Sequence, residues 1–510
     1  MIMIYPLAFA GSLGSLALWF IYKTDNTKSR LFQRSFFIGF TVFILSALLA
    51  DVSWSVKLGV LFRDLLAMAG FGLFFQLLAV RKKWLAYGII ASVIAFSGYY
   101  QAFMSKSFEP RETGSAQLDA EGELLVELAE GANIHDILAT AESKYHIISV
   151  PAFSPASPES TELDDYYIVD IPTQFAGETA LVIKEIQKAN GVDWVEPNEM
   201  ISITPMEGRI PSNPKKELGL NDQYLDQLWG FQAMDVKKLL DYLDSRQVTP
   251  QRKALIVILD TGIDAKHEDI KDNYRSIKAG NDNDPQGHGT HCAGIAAAVS
   301  NNGVGVASFS RDNSYIEVSS IKVLNASGMG TQRGIIDGII QAADAGADVI
   351  SMSLGGVSNQ SRERAYRQAV EYANKKGAIV VAAAGNSNRN AKGYAPAGVT
   401  GVIAVSAIDE ELQRAVFSNY VTDVKMGVAA PGVNIYSTIP RDQYASYNGT
   451  SMATPYAAGL IGLLKSIKPS LDTKEVYDIL KKTGKPTKNT KETGLLIYPY
   501  EAVKLLVEQQ

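Results

Sequence analysis

Cysteine and histidine are scarce in this chain of 510 residues, which contains one cysteine and five histidines. A single cysteine excludes an intrachain disulfide framework. The predicted soluble surface also lacks a basic cluster, and the formal net charge is −6, so the charge pattern does not favour nucleic-acid binding. The chemistry of the chain must therefore be sought in short motifs.

One such motif is the triplet Asp260-Thr261-Gly262, which occurs once. Aspartic proteases need two such triplets, so the lack of a second excludes their paired-aspartate chemistry. Asp260 ends the apolar run Ala254–Leu259, which is typical of a buried parallel strand. The carboxyl end of such a strand opens onto a site crevice, although a strand-end turn residue is the simpler alternative.

Two further motifs supply an imidazole and a hydroxyl. His288 lies in Gly-His-Gly-Thr-His-Cys-Ala-Gly and Ser451 in Gly-Thr-Ser-Met-Ala-Thr-Pro, and each opens a helical run rich in small residues. Helix N-termini provide oriented N–H groups and a positive field, but each residue alone could be a helix cap. A serine nucleophile needs an imidazole base, and that base needs a carboxylate, so the three motifs together indicate a hydrolase.

A fourth motif, Val380-Val-Ala-Ala-Ala-Gly-Asn386, predicts a buried strand that ends in a small-residue turn. The turn presents one amide side chain, that of Asn386. Asparagine also tolerates turn geometry, which is the alternative explanation.

The order and flanking residues of these motifs resemble the subtilisin-like serine proteases. The resemblance implies a doubly wound, mostly parallel α/β peptidase domain over residues 221–510 and serine endopeptidase activity. It implies a triad of Asp260, His288 and Ser451, with Asn386 and the Ser451 backbone amide as oxyanion donors.

The same resemblance implies two edges that bind the substrate backbone, where glycine lets a peptide pair as an added strand. These edges contain Ser353, Leu354, Gly355 and Gly356 on one side and Gly328 and Gly330 on the other. The expected pocket wall, Ala382–Ala384, is small and apolar. We therefore expect broad specificity that favours bulky apolar residues before the cut bond.

A structural calcium ion is a further implication, because hard cations prefer carboxylate and carbonyl oxygens. The expected ligands are the side chains of Asp222, Asp269 and Asn302 and the carbonyls of Val299, Val304 and Val306. Each of these residues alone is more often a cap or turn residue.

Residues 1–105 contain four apolar stretches whose length and composition suit transmembrane helices. They are Ile4–Tyr22, Phe36–Ala50, Leu58–Val80 and Trp84–Met104. Arg63-Asp64 interrupts the third, where the two side chains could pair or Arg63 could snorkel. Lysine and arginine concentrate in the first and third loops, so the positive-inside rule predicts a multi-pass membrane protein with its peptidase on the non-cytoplasmic side.

Residues 119–203 alternate predicted strands and helices in a β-α-β-β-α-β order, which matches a ferredoxin-like fold. The position of this unit and its terminal Val195-Glu-Pro-Asn198 resemble the family's inhibitory propeptide, with a generic spacer as the alternative. Residues 204–220 hold three prolines and several charges, which predicts an exposed linker and processing region.

Together these features predict a membrane-anchored, autoprocessed serine endopeptidase that acts on proteins or peptides and is inhibited by its own propeptide. The alternative is a non-catalytic membrane sensor or scaffold that retains the fold. The presence of all four catalytic residue types argues against that alternative.

Overall fold

The computed structural model describes residues 4–48, 54–80, 99, 123–211, 218–359 and 362–509. The chain divides into two compact units, residues 1–115 and 116–510. The described helices of the first unit are α1 (Ile4–Ile21), α2 (Asn26–Leu48) and α3 (Trp54–Val80).

Helix α2 begins before the predicted apolar stretch, so basic residues expected in a loop lie within a helix. The reason is a local cap: Asp25 accepts hydrogen bonds from the backbone amides of Thr27 and Lys28. In α3, the Arg63 guanidinium donates to Asp64 across 2.6 Å, and the buried Asp64 also accepts from the hydroxyls of Tyr5 and Tyr99. The predicted pairing of Arg63 with Asp64 is therefore present.

Within the described residues, no helix combines the length and apolarity needed to cross a membrane. The prediction of four transmembrane helices is thus not supported. Its fourth stretch, Trp84–Met104, lies outside the described residues except for Tyr99.

The second unit opens with a small α+β layer. Its elements are β1 (Leu124–Leu128), α4 (Ile134–Tyr145), β2 (Ile148–Pro151), β3 (Tyr166–Asp170), α5 (Thr179–Ile186) and β4 (Val192–Pro197). The strands form an antiparallel sheet in the order β2-β3-β1-β4, which is the ferredoxin-like arrangement predicted for these residues. Strand β2 has mostly exposed side chains, so no apolar pattern located it in the sequence.

Two short strands follow, β5 (Met200–Ser202) and β6 (Met206–Glu207), and both pair with strands of the peptidase domain. The start of the predicted exposed linker is therefore ordered on the peptidase, which corrects the linker prediction there. Residues 212–217 of the linker lie outside the described part of the chain.

The peptidase domain is built on a seven-stranded sheet in the order β18-β15-β14-β12-β10-β7-β8, and all its neighbouring strands are parallel. Its strands are β7 (Ala254–Asp260), β8 (Ile316–Lys322), β10 (Val349–Met352), β12 (Ile379–Ala383), β14 (Val402–Ile408), β15 (Gly427–Pro431) and β18 (Leu495–Leu496). The predicted parallel α/β fold is confirmed.

The remaining elements surround this sheet. The helices are α6 (Trp229–Ala233), α7 (Val236–Ser245), α8 (His288–Ala297), α9 (Gln332–Asp344), α10 (Arg364–Lys375), α11 (Thr450–Ile467), α12 (Thr473–Thr483), α13 (Thr490–Thr493) and α14 (Pro499–Glu508). The shorter strands are β9 (Met329–Thr331), β11 (Gly356–Val357), β13 (Tyr394–Ala395), β16 (Ile435–Ile439) and β17 (Gln443–Asn448).

Strand β7 shows why helices cover both faces of the sheet. All seven of its residues are buried. Ile256 and Ile258 pack in one core with α8 and α11, whereas Leu255, Val257 and Leu259 pack in a second core with α9 and α10. A continuous apolar run is what a parallel strand buried on both faces requires.

Candidate active site

Asp260 lies at the carboxyl end of β7, between β8 on one side and β10 on the other. The strand after β7 in the sheet sequence, β8, adds on one side of β7, whereas β10 and later strands add on the other side. Sites in open α/β sheets form where the order of strands reverses in this way. The Asp260 carboxylate is fully buried and accepts a hydrogen bond of 2.8 Å from the backbone amide of Thr261.

His288 opens α8 directly beside this carboxylate. Its Nδ1 lies 2.9 Å from both carboxylate oxygens of Asp260. Burial disfavours the imidazolium and is the largest single influence, but the charge and hydrogen bond of Asp260 and the contact with Cys292 together outweigh it, so the pKa of His288 lies well above its ordinary value. Gly289 allows this approach of helix to strand, because a Cβ there would lie 2.1 Å from the Gly262 carbonyl oxygen.

Ser451 lies in the first turn of α11 and its hydroxyl donates to the Ser353 carbonyl across 3.0 Å. The buried thiol of Cys292 joins it to the histidine: Sγ is 3.5 Å from the Ser451 carbonyl oxygen and 4.0 Å from His288 Nδ1. The three predicted residues therefore meet at one edge of the sheet. In this structure the Ser451 hydroxyl is engaged with the Ser353 carbonyl, and hydrogen bonds between a catalytic serine and its base are often long or unformed in sites without substrate.

Asn386 follows β12 and is exposed at the same edge. Its side-chain oxygen accepts hydrogen bonds of 2.9 Å from both the backbone amide and the hydroxyl of Thr450. These bonds fix the orientation of the side chain and leave its NH₂ group beside the N-terminus of α11. The Asn386 NH₂ group and the backbone amide of Ser451 could together donate hydrogen bonds to an oxyanion.

Asp284 is a buried residue of this site that the sequence motifs did not connect to the triad. Its carboxylate accepts from the hydroxyls of Thr261 and Thr290, and from the backbone amides of Gln286, Gly287 and Thr290. The carboxylate thereby connects the residue after Asp260 to the first turn of the His288 helix. Its position in an Asn/Asp-rich loop provided no indication of this contact.

The two predicted substrate edges both lie beside residues 200–203. Strand β9, which contains Gly330, pairs antiparallel with β5, and the Ile203 amide donates to the Gly328 carbonyl across 2.9 Å. On the other edge, a Cβ on Gly356 would lie 3.4 Å from the Ile201 side chain. Ser353 and Leu354 are buried behind this edge, and Gly355 lies against Ala395, whose bond to Pro396 is cis.

The predicted calcium ligands also meet in space. Asn302 donates to the Asp269 carboxylate across 2.8 Å, and the Asp222 carboxylate accepts from the backbone amides of Asn301 and Asn302. The loop of residues 299–306 makes further contacts with Asp269. The backbone amides of Val299 and Val306 donate to Asp269, and the amide of Val304 donates to the Asn302 side chain.

The Asp222 and Asp269 carboxylates are both buried, and no ion-pair partner for either occurs among the described residues. Burial, together with the nearby Asp222 charge, raises the pKa of Asp269 to about 8. Burial also raises the pKa of Asp222. Two adjacent buried carboxylates that lack a basic partner fit a hard divalent cation.

Comparison with known proteins places this geometry in a family. A model of the Subtilase family matches residues 251–496. Thermitase of Thermoactinomyces vulgaris is 45% identical over 246 residues, covering 44% of this chain and 84% of thermitase. Subtilisin DY of Bacillus licheniformis is 44% identical over 235 residues, covering 44% of this chain and 82% of that protein.

A longer match is the thermostable alkaline protease of Halalkalibacterium halodurans, which is 31% identical over 360 residues, or 68% of this chain and 88% of that protein. Among solved structures, a protease from Pseudoalteromonas arctica superimposes with a TM-score of 0.50 and 29% identity, covering 56% of this chain and 99% of that one. This chain therefore belongs to the subtilase family and is a subtilisin-like serine endopeptidase.

Proposed function

We propose that the chain is made as a zymogen whose peptidase acts through Ser451, His288, Asp260 and Asn386. Ser451 attacks the peptide carbonyl, His288 carries the proton, Asp260 orients the imidazole, and Asn386 holds the oxyanion with the Ser451 amide. The observation that carries these roles is the 2.9 Å contact of His288 with both Asp260 oxygens at the edge where α11 begins.

Residues 119–203 act as the inhibitory propeptide in this proposal. Their sheet shares a core with α9 and α10 through Leu125, Tyr166 and Ile168. Strands β5 and β6 then continue onto both sides of the active site. The match to the Halalkalibacterium protease also supports the assignment, because it covers 68% of this chain and so extends beyond residues 221–510.

The preference for bulky apolar side chains before the cut is part of the same proposal. Ala382, Ala383 and Ala384 are buried small residues that precede Asn386 in the chain. As the wall of a pocket, their short side chains would leave space for an apolar side chain of the substrate. A wall of small apolar residues discriminates weakly between apolar side chains of similar size, because each methylene changes affinity only modestly.

Calcium would be held by Asp222, Asp269 and Asn302 with carbonyls of the loop 299–306. The ion would neutralise the two buried carboxylates and so stabilise the folded peptidase domain. The chain's own residues already order this loop through the hydrogen bonds to Asp269.

A Ser451→Ala variant tests the catalytic assignment. We expect the purified variant to lose peptidase activity, to resist a fluorophosphonate label and to stay uncut within residues 204–220. Ser466→Ala is the matched control, because Ser466 is a buried serine of the same helix that donates only to the Leu463 carbonyl. If Ser451→Ala were still processed in a purified system, processing would not be autocatalytic. A wild type that is processed but neither labelled nor active would favour the scaffold alternative.

Asn386→Ala separates an oxyanion role from a structural one. Removal of the side-chain oxyanion donor of subtilisin lowers turnover by about 100- to 1,000-fold. We expect processing of Asn386→Ala to slow by a similar factor, with an unchanged melting temperature. A variant that fails to fold would assign Asn386 a structural role instead.

A further inference from the structure

The segment that joins the propeptide to the peptidase crosses the active site between two paired strands. Before the crossing, Ile201 pairs with Gly330, and the Ile203 amide donates to the Gly328 carbonyl across 2.9 Å. After it, Met206 pairs with Asn448, and the Gly208 amide donates to the Ser446 carbonyl across 2.7 Å. Only two residues, Thr204 and Pro205, span the interval.

The nucleophile lies at this interval. Asn448, the partner of Met206, is three residues before Ser451 in the chain. The Ser451 hydroxyl bonds to the carbonyl of Ser353, at the start of the edge that faces Ile201. Since Ile203 and Met206 are the last residues bound on either side, the bond at the centre of the crossing is Thr204–Pro205.

Cleavage of that bond would meet two obstacles. In acylation, Ser451 Oγ attacks the Thr204 carbonyl carbon, the C–N bond to Pro205 breaks, and the leaving nitrogen takes the proton that His288 received from the serine. In a proline peptide that nitrogen carries the ring Cδ in place of hydrogen, so the ring crowds the approach of the imidazole. The ring also restricts the backbone of the preceding residue. In addition, Thr204 is exposed and is not seated in a pocket.

We propose that Pro205 prevents the chain from cutting itself at the Thr204–Pro205 bond, which its own crossing segment, residues 201–208, presents to Ser451. The resting chain is then inhibited by an intact substrate-like segment. A first cut elsewhere in residues 204–220 must then be made by a second molecule of the same protein. In that molecule the crossing segment has dissociated from the active site. This inference rests on the proposed self-processing and adds which bond is protected and how the first cut occurs.

The test is Pro205→Ala in the full-length chain, followed by intact-mass analysis and N-terminal sequencing of the fragments. We expect two fragments that separate after Thr204, with a half-time independent of protein concentration. Wild type should keep the bond between residues 204 and 205, and its processing half-time should fall in inverse proportion to concentration. Pro211→Ala, at another proline of the segment, is the matched control and should behave like wild type.

The inference would be overturned if the wild-type chain were cut between Thr204 and Pro205. It would also be overturned if the processing half-time of wild type did not depend on protein concentration. Pro205→Ala that hydrolyses a fluorogenic peptide but keeps the 204–205 bond would overturn it while leaving the peptidase assignment intact. If that variant were uncut and inactive, the inference would also fail, because an uncut chain stays inhibited by its own segment; the peptidase assignment would fail with it only if processed wild type did not hydrolyse the peptide. The double variant Pro205→Ala with Ser451→Ala should stay whole, and a cut in it would mean that a different protease had acted.

Discussion

At the scale of the residue, the histidines of α8 show how position sets chemistry. His288 faces the Asp260 carboxylate, and the pKa of its imidazole is raised. His291, one turn further, stacks on Tyr447 with ring centroids 4.4 Å apart, and burial lowers its pKa to about 3. The two residues lie on one short helix, but only His288 has a carboxylate partner, so only His288 is suited to exchange a proton during catalysis.

The raised pKa of His288 predicts the pH dependence of the processed enzyme. A general base must be neutral, so kcat/KM should rise with pH as His288 loses its proton, and the midpoint should lie above the ordinary histidine value of about 6.5. The measurement is kcat/KM from about pH 5 to 10 on a peptide without titratable groups. A midpoint below about 6 would show that the Asp260 charge does not control this pKa.

At the scale of the element, two peptidase helices present their N-termini to the small α+β layer that we propose to be the propeptide. The Glu196 carboxylate accepts from the amides of Arg364 and Ala365 at the start of α10, and from the Gln332 side chain. Asn198 accepts from the Arg333 amide at the start of α9. Polar acceptors at exposed helix N-termini supply the bonds that the first turns lack. The sequence motif that contains Glu196 and Asn198 thus acts as a docking element.

Docking through Glu196 should depend on pH. Burial raises the pKa of Glu196 to about 7, from an ordinary value of 4.5, so the docked state holds more protons than the undocked state between these values. The contribution of Glu196 to docking should therefore be fully present below about pH 4.5 and be lost as pH rises through about 7. The nearby charges of Glu127, Glu199, Arg362 and Arg364 also face this interface.

The check is amide hydrogen exchange of residues 364–366 in the Ser451→Ala chain, corrected for the intrinsic rate at each pH. Glu196→Gln should remove most of the pH dependence of protection. Glu123→Gln is the control, because Glu123 is a buried propeptide carboxylate that accepts from the Ile171 amide, away from α10. Equal pH dependence in wild type and Glu196→Gln would refute the assignment.

The loop of residues 299–306, with its proposed calcium site, is a second element whose role can be measured. A ligand that binds only the folded state stabilises it, by about 2.7 kcal/mol at a concentration of about one hundred times its dissociation constant. Calcium should therefore raise the melting temperature of the processed peptidase, and Asp269→Ala should remove most of that increase. Asp272→Ala, at an exposed aspartate three residues further, should keep it. An unchanged melting temperature of wild type in chelator and in calcium would contradict the site.

At the scale of the whole molecule, the proposed processing segment, residues 204–220, would divide the chain into parts with different roles. A cut within residues 204–220 separates the N-terminal helices and propeptide from the peptidase domain. The cut must precede Asp222 if that residue is to stay with its calcium loop. Until the propeptide is degraded, its shared core with α9 and α10 would hold the peptidase without a covalent bond.

Cell fractionation with antibodies to each end of the chain tests this division and the predicted location. Wild type should yield a free C-terminal fragment outside the membrane fraction, whereas Ser451→Ala should remain a single full-length species. An active, full-length species confined to the membrane fraction would mean that the peptidase is never released. A full-length Ser451→Ala chain found in the cytoplasm would contradict the predicted non-cytoplasmic location.

The sequence alone determined those parts of the site that depend on local structure. Asp260 and Asn386 follow continuous apolar strands, and His288 and Ser451 begin helices of small residues. Short-range patterns encode such strand ends and helix starts, and the ends of neighbouring parallel strands meet at one edge of a sheet. The catalytic residues could therefore be predicted together with the fold that joins them.

Tertiary structure alone decided the contacts between residues distant in the chain. Asp284 joins two threonines of the active site, Glu196 reaches Ala365, and Met206 pairs with Asn448 in the strand that leads to Ser451. Local patterns cannot specify these contacts, because each depends on how separate elements pack and on which buried polar groups remain to be satisfied. The sequence thus determined which four residues come together at the candidate active site, whereas long-range packing determined which distant parts of the chain contact that site.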